Sequence, residues 1–226
     1  MKLQYFFTVL FFAWSYCINS ETTVQDSNAG QRNLNLLKNE ELFKASFYET
    51  RLQQLDVVQS ILRFQDYGKQ YKIIHKALEK IFEVMQLAKV IVEASDYIPG
   101  SNFPSNISVV EALSQVIENT ALYGELQLKL PDITDRIMEK NTQWLILIKW
   151  SIGFSNSSGL LDDKTTQMID LLCQEMNLIE RSVHFHNPYR KYVKVSQPDK
   201  IPQKQTKKKL NLKKGPRLSK RSYSEL

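Results

Sequence analysis

The chain has 226 residues, of which 42% are hydrophobic and 24% are charged, and its formal net charge is +6 at pH 7. This length and composition fit one folded domain with a hydrophobic core and exclude a wholly disordered chain. Only two cysteines occur, Cys17 and Cys173, so a disulfide-dense scaffold is excluded as well.

The first 20 residues have the pattern of a signal peptide. Lys2 gives a cationic start, an apolar run follows from Leu3 to Trp14, and smaller polar residues come after it. Cleavage could follow Ser20 or Cys17, and either cut removes Cys17. The alternative is an N-terminal membrane anchor, but the run is shorter than the about 20 apolar residues of a spanning helix. We therefore expect a lumenal or secreted protein whose mature chain has no transmembrane segment.

Two amphipathic stretches are predicted before Pro99, the first proline of the chain, and Gly68 either separates two helices or weakens one long helix. Residues 21–32 are predicted to be a polar linker ahead of a helical domain at 33–183. The first helix is indicated by apolar residues three or four positions apart: Tyr48, Leu52, Leu55, Val58 and Leu62. The second helix carries a heptad seam, formed by Tyr71, Ile74, Leu78, Ile81, Met85, Ala88 and Val92. We interpret this seam as a face that packs inside the bundle; a partner helix or a second copy of the chain are the alternatives.

Two more helices are predicted after a loop at residues 97–106, which holds two prolines and a glycine. The third helix starts at about Val109 and ends before Pro131, and Gly124 within it allows close packing. The fourth helix could be capped by Asp132 or Thr134, and it carries Ile137, Trp144, Leu145, Ile148 and Trp150. Its second half is apolar nearly all round, which is typical of a central helix.

A turn-rich loop is predicted at residues 153–159, followed by a fifth helix from Asp162 or Asp163 to about Glu180. Cys173 falls beside the apolar stripe of that helix and is expected to be a buried core thiol. No strand-like alternation competes with these helices. The predicted fold is all-α, a single antiparallel bundle of about five helices joined by short polar connections.

The chain from His184 to Leu226 is predicted to be a basic, largely disordered tail. From Asn187 onward it holds 13 Lys or Arg and two acidic residues, a balance of +11 against −5 for the rest. Its lysine cluster at 207–214 resembles a nuclear import signal or a polyanion-binding patch. The cluster has no interleaved aromatic side chain to stack on bases, so nucleic acid is a poor candidate partner. Acidic protein, phosphate or membrane surfaces remain as partners, with a merely solvating tail as the alternative.

Two asparagines, Asn106 and Asn156, lie in N-glycosylation acceptor triplets. Both triplets fall in turn-like sequence, and the leader would bring them to the compartment where sugars are added. The chain also ends in a variant of the Lys-Asp-Glu-Leu retrieval signal, which the KDEL receptor reads. This variant consists of Tyr223, Ser224, Glu225 and Leu226. We therefore expect a glycoprotein of the endoplasmic reticulum lumen that is partly secreted.

No catalytic, cofactor or metal site is predicted. His184 and His186 are two positions apart without nearby cysteines or clustered carboxylates, so they lack the rest of a metal shell. His75 has no nucleophile or acid partner visible in the sequence, which leaves a catalytic dyad without support. We expect a protein that acts by binding and not by catalysis.

Five blocks of sequence together resemble the coiled-coil domain-containing protein 134 family. They are QYKIIHKALEKIFEVM (70–85), VIENTALYGELQLKLP (116–131), NTQWLILIKWSIGFSNSSG (141–159), HNPY (186–189) and KGPRLSKRSYSEL (214–226). The blocks cover most of the chain after the leader and follow the family's order. By this resemblance Asn156 matches the family's acceptor triplet and the last four residues match its retrieval ending, whereas Asn106 has no assigned counterpart.

The resemblance implies a small, non-enzymatic, all-helical protein of the endoplasmic reticulum lumen. Its implied partner is the lumenal Hsp90-type chaperone endoplasmin, which such proteins protect from excess N-glycosylation and degradation during its biogenesis at the translocon and the oligosaccharyltransferase. The family is also linked to a secreted, cytokine-like activity that restrains mitogen-activated protein kinase (ERK and JNK) signalling. A third link is a nuclear role as cofactor of an acetyltransferase complex. Of the three, the first fits both ends of the chain.

Overall fold

Six α-helices make up the described part of the protein. A computed structural model describes the backbone of residues 29–190 and the side chains of residues 39–190. No strand occurs among these residues, so the all-α prediction is confirmed. None of the helices in this part of the chain is long and apolar enough to cross a membrane. The helices are α1 (Ala29–Leu62), α2 (Tyr67–Glu93), α3 (Ile107–Lys129), α4 (Pro131–Met138), α5 (Thr142–Ser158) and α6 (Asp163–Glu175).

Several predicted features lie outside the described residues: the signal peptide at 1–20, the linker before residue 29, the basic tail after Arg190 and the retrieval ending at 223–226. The linker prediction is wrong for residues 29–32, because α1 already begins at Ala29. Gly30 costs a helix only about 1 kcal/mol, which a helix of 34 residues can absorb.

The four long helices alternate in direction. The ring of Phe82 in α2 stacks on Trp144 in α5 and meets Tyr123 in α3 edge-on. Gly100, which follows α2, lies against Ser157 at the end of α5. Helices α2 and α5 therefore run the same way, whereas α3 runs back between them. Helix α3 is the central element, because it contacts all five other helices.

The heptad seam of α2 lies in the hydrophobic core. Six of its seven residues are buried, and Tyr71 is half-buried against the same core. The helix begins at Asp66, whose carboxylate accepts a hydrogen bond from the Lys69 N–H at 3.1 Å. The seam is thus used inside this chain and leaves no free apolar stripe on that side of α2.

The buried face of α1 differs from the predicted one. Tyr48 and Leu52, which the apolar spacing placed on the core face, are exposed. The prediction is wrong because two polar residues lie in the middle of the face that is buried. A search for regularly spaced apolar residues does not detect such a face. Among residues 39–62 of α1, whose side chains are described, the buried ones are Phe43, Phe47, Arg51, Gln54, Val58 and Ile61.

The predicted fourth helix is two helices. Helix α4 ends at Met138 and α5 begins at Thr142. Asn141 lies between them, and its side-chain amide donates to the Ile137 carbonyl at 2.9 Å. The same carbonyl also accepts from the Lys140 N–H at 3.3 Å, so two hydrogen bonds hold the chain in a turn between α4 and α5.

The predicted turn-rich loop at 153–159 is also wrong, because α5 continues through Ser158. The hydroxyls of Ser151 and Ser158 donate to carbonyls three residues earlier, at 3.0 and 2.7 Å, which lets serines lie in a buried helix face. The helix ends at Gly159, whose φ of 70° is easy for glycine and costly for other residues.

Helix α6 is shorter than predicted. It begins as expected after Asp162, whose carboxylate accepts hydrogen bonds from the Lys164 and Thr165 N–H groups at 3.0 Å each. It ends at Glu175 and not near Glu180. Asn177 adopts a φ of 54°, and the following N–H bonds back to the Cys173 carbonyl at 2.8 Å, which closes the helix. The Cys173 side chain is buried, as a core thiol would be.

Candidate functional site

The two acceptor asparagines lie at the same end of the bundle, which we call the acceptor end. Asn106 is the N-cap of α3, and its Oδ1 accepts a hydrogen bond from the Ser108 N–H at 2.9 Å. Asn156 is in the last turn of α5, not in a loop. The loop before α3 touches the end of α5, since a Cβ added to Gly100 would lie 3.1 Å from the Ser157 carbonyl oxygen. Both acceptor side chains are exposed to solvent.

An open cleft of about 500 Å³ lies beside these asparagines, between the C-terminal parts of α2 and α5. One wall is aromatic: the Trp150 and Phe154 rings stack with centroids 5.1 Å apart, and Tyr97 meets Phe154 edge-on at 6.2 Å. The Lys89 ammonium lies 4.9 Å from the centroid of the Trp150 ring, a cation–π distance. Burial, with a smaller effect from the Glu40 charge, raises the pKa of Tyr97, so its hydroxyl stays a hydrogen-bond donor at neutral pH.

The rim of the cleft is charged and its floor is open. Lys149 and Glu93, both exposed, line opposite sides of the cleft. Gly153 lies between the aromatic residues on α5, and a Cβ added there meets nothing within 4 Å. Such an arrangement, apolar walls with a few polar groups at the edge, suits a peptide segment or another elongated ligand.

The cleft was not predicted from the sequence. Trp150 and Phe154 are four residues apart, the spacing that brings two side chains together on one helix face. That signal was lost because residues 153–159 read as a loop, which separated the two aromatic residues.

The last turns of α2 expose a second apolar surface, on the side of the helix opposite the seam. We call it the outer face of α2, and none of its residues lines the cleft. An exposed apolar group of this kind is typical of an interaction site. It consists of Leu87, Val90 and Ile91, exposed by 61%, 57% and 41%, and of Ile98 in the following loop, exposed by 70%.

The opposite end of the bundle, where α3 finishes and α4 lies, is closed by a segment that was predicted to be tail. We call this the clamp end. The Asn187 side chain is buried and donates to the Leu128 carbonyl at 2.9 Å. The Arg190 guanidinium bonds to Asp135 at 2.9 Å and to Glu175, whose side chain is only 1% exposed. The tail prediction is therefore wrong for residues 184–190, because a buried carboxylate holds this segment on the bundle.

Further hydrogen bonds extend the clamp into α3. The Gln127 amide donates to Asp135 at 2.6 Å and accepts from the Tyr123 hydroxyl at 3.2 Å. Burial, reinforced by the Asp135 charge, raises the pKa of Tyr123 and keeps this hydroxyl protonated. Partial desolvation alone would lower the pKa of Arg190, but its bonds to Asp135 and Glu175 outweigh that effect and raise it.

A second buried ion-pair network lies near the same end and joins α1 to α3. Arg51 bonds to Glu125 at 2.6 Å, and Lys129 contacts the other oxygen of Glu125 at 2.9 Å. The Arg51 guanidinium also donates to Gln54 at 2.9 Å and to Thr165 at 3.3 Å. This network is structural, since none of these residues lines the cleft.

The described residues include no group of His, Cys, Asp or Glu side chains that could hold a metal ion. His184 and His186 are both exposed and come before the residues that hold the chain at the clamp end. His75 makes an i, i+4 contact with Glu79 at 3.4 Å on the surface of α2. The structure brings none of these histidines beside a nucleophile in the cleft.

Fold and surfaces together define an α-helical bundle that exposes an aromatic cleft and an apolar helix face near one end. Residues 13–219 match the family described as "ERK and JNK pathways, inhibitor", and the chain belongs to that family.

Its relatives carry the name of the family that the five sequence blocks resemble, so the predicted family is confirmed. The chain is similar to coiled-coil domain-containing protein 134 of Xenopus tropicalis, with 33% identity over 151 residues, 66% of either chain. It is also similar to coiled-coil domain-containing protein 134 of Mus musculus, with 30% identity over 201 residues, 82% of this chain and 86% of the mouse protein. No solved structure matches the chain.

Proposed function

We propose that this is a non-enzymatic binding protein of the endoplasmic reticulum lumen. Its partner is the Hsp90-type chaperone endoplasmin, which it protects from excess N-glycosylation and degradation during biogenesis. The observation that carries the binding role is the aromatic cleft at the acceptor end. The leader and the C-terminal ending support the compartment, and the family resemblance supports the choice of partner.

In the proposed mechanism the cleft holds a segment of the chaperone. Tyr97, Trp150 and Phe154 supply the apolar contact area, because aromatic residues contribute most of the binding energy at many interfaces. Lys149 and Glu93 fix the direction of the bound segment by charge. The bulk of the bundle then denies the oligosaccharyltransferase access to nearby acceptor asparagines, so no bond is made or broken by the protein itself.

Gly153 offers a direct test, because a side chain placed there fills the cleft without touching its walls at Cβ. Gly153→Gln is expected to lower recovery of crosslinked endoplasmin from the lumen about tenfold and to add glycosylated forms of endoplasmin. Gly153→Ala is the matched control: it improves helix propensity similarly but leaves the cleft open. Equal recovery with both variants would refute the cleft as the docking site. Absence of endoplasmin from the wild-type crosslinks would refute the partner.

The family description favours a second function, restraint of ERK and JNK signalling by a secreted form. The purified protein added outside cells would then lower ERK and JNK phosphorylation. Appending one residue after Leu226 separates the two functions, since blocking retrieval should deplete the lumenal pool and raise the secreted one. If the extended chain stays inside cells as before, retrieval by this ending is refuted.

The nuclear role named by the resemblance requires a pool that never enters the secretory pathway. Endoglycosidase-sensitive sugar on the whole cellular pool would refute it, because sugar on Asn106 or Asn156 is added only after translocation.

A further inference from the structure

The acceptor residue Asn156 lies on the rim of the aromatic cleft. Lys149, Gly153 and Asn156 follow one another at steps of four and three residues, so they form one row along α5. Lys149 and Gly153 line the cleft, and so does Ser157, the residue after Asn156. A group attached to Asn156 is therefore at the edge of the cleft in the folded bundle.

The path from Asn156 to the aromatic wall is open. Gly153 lies about 4.5 Å from Asn156 along the helix axis and Trp150 about 9 Å. Gly153 has no side chain, and a Cβ added there meets nothing within 4 Å. Among the described residues none bonds to the exposed Asn156 side chain. A bulky sugar on Asn156 would therefore break no native contact and has room to lie across the cleft.

The lining of the cleft also has the chemistry that binds a sugar. A sugar ring has an apolar face of C–H groups and an edge of hydroxyls. Trp150 and Tyr97 line the cleft half-buried and offer aromatic surface for the apolar face. The Tyr97 hydroxyl and the Lys149 ammonium can donate hydrogen bonds to the sugar, and the Glu93 carboxylate can accept them. The cleft thus suits a sugar as well as a peptide segment.

We propose that an oligosaccharide on Asn156 covers the cleft, so that sugar-bearing molecules exclude protein segments and sugar-free molecules admit them. This regulation rests on the proposed function, which makes the open cleft the docking site. In the transfer, the Asn156 amide nitrogen bonds to the anomeric carbon of an oligosaccharide. The bond from that carbon to the pyrophosphate of the sugar donor breaks, and one amide proton is released.

The covalent attachment makes a weak contact sufficient. A ligand on a short flexible tether acts at an effective concentration in about the millimolar range. A sugar that binds the cleft with a Kd of about 0.1 mM would then cover it about ten times longer than it leaves it open. A free protein segment at a lower concentration has to compete with this cover.

The first test measures how fast a thiol in the cleft is labelled. Gly153→Cys places a thiol at the open position, and Cys173 is buried, which keeps the native thiol from reacting. Ser108→Ala is added to every sample, so that Asn156 is the one acceptor left of the two. The sugar-bearing protein is expected to react with a maleimide about tenfold more slowly than the same protein with Asn156→Gln.

Val183→Cys is the matched control for labelling. Val183 is 95% exposed, and the N–H of Ser182 before it bonds to Gln174, next to Glu175 of the clamp end. The sugar is expected to leave the labelling rate at position 183 unchanged. Equal rates at position 153 with and without the sugar, or equal slowing at both positions, would overturn the inference. A purified protein without any sugar on Asn156 would overturn it as well.

The second test separates this regulation from the proposed function. Lumenal crosslinking is expected to recover about tenfold more endoplasmin with Asn156→Gln than with the sugar-bearing protein, because the cover competes for the cleft. Slower labelling at position 153 with no endoplasmin on either form would support the cover and refute the proposed partner. Equal recovery of endoplasmin with both forms would overturn the regulation and leave the proposed partner in place.

Discussion

The two ends of the bundle use polar residues in opposite ways. At the acceptor end Asn106 and Asn156 are exposed, and the exposed Lys149 and Glu93 line an open cleft. At the clamp end, which includes the last turns of α3, Arg190 pairs with Asp135 and Glu175, the Arg51–Glu125 pair is buried, and Glu175 is nearly sealed from solvent. Ion pairs between elements therefore hold the fold together at one end, whereas at the other end Glu93 pairs within its own helix, with Lys89 at 3.5 Å, and faces solvent. Substitutions at the two ends should separate stability from recognition.

The largest effect is expected from Arg51→Ala in the buried network. Breaking a buried ion pair typically costs about 3–5 kcal/mol, because one charge stays buried without its partner. Lys129 still contacts Glu125, so we expect a loss near the lower limit, about 3 kcal/mol, in urea unfolding. Lys44→Ala is the control, because its pair with Glu40 is exposed and should contribute less than about 0.5 kcal/mol. Similar losses for both variants would show that burial is not the cause.

A smaller loss of stability is expected from Arg190→Ala at the clamp. It leaves the Glu175 carboxylate unpaired, but Arg190 is 37% exposed, so water can reach the site once the segment lifts. We expect about 2 kcal/mol in thermal or urea unfolding. Adding Glu175→Gln should recover part of that loss, since it removes the unpaired charge. If Arg190→Ala unfolds like the wild type, the segment at 187–190 does not hold the bundle closed.

The smallest effects are expected at the acceptor end, where sugar attachment and stability can be separated. Asn106→Ala removes both the acceptor and the N-cap of α3, and should cost about 1 kcal/mol. Ser108→Ala removes the same acceptor triplet but keeps the cap, so stability should change by less than about 0.5 kcal/mol. Asn156→Gln should likewise be close to neutral. Endoglycosidase digestion followed by gel mobility reports the sugar, and a cost for Ser108→Ala as large as that for Asn106→Ala would contradict the capping role.

Apolar spacing predicted the α2 seam well, because its residues follow one another at alternating steps of three and four positions, and six of the seven are buried. The same rule failed on α1, where the buried face includes Arg51 and Gln54. Their partners are Glu125 and a carbonyl of α3, about 70 residues away in sequence, and local spacing holds no trace of such pairs.

A second group of wrong predictions came from residue types that are common in turns. The run from Gly153 to Gly159 is rich in Ser, Asn and Gly, which favour turns when they are solvated. In the fold Ser155 and Ser158 are buried, and the Ser158 hydroxyl donates to the Ser155 carbonyl of its own helix, so tertiary packing overrides local preference. The clamp was missed for a related reason: Arg190 lies among tail-like lysines and prolines, and only the fold brings it to Asp135 and Glu175.

The structure of the last turn of α5 determines whether a sugar can be added at Asn156 before or after folding. The acceptor triplet requires the hydroxyl of its third residue, Ser158. In the finished bundle that hydroxyl is buried, donates to the Ser155 carbonyl and accepts from the Leu160 N–H. Transfer of the sugar to Asn156 therefore has to happen before the last turn of α5 folds. The fraction of molecules that carry a sugar at this position would then measure how long the nascent chain stays unfolded in reach of the modifying enzyme.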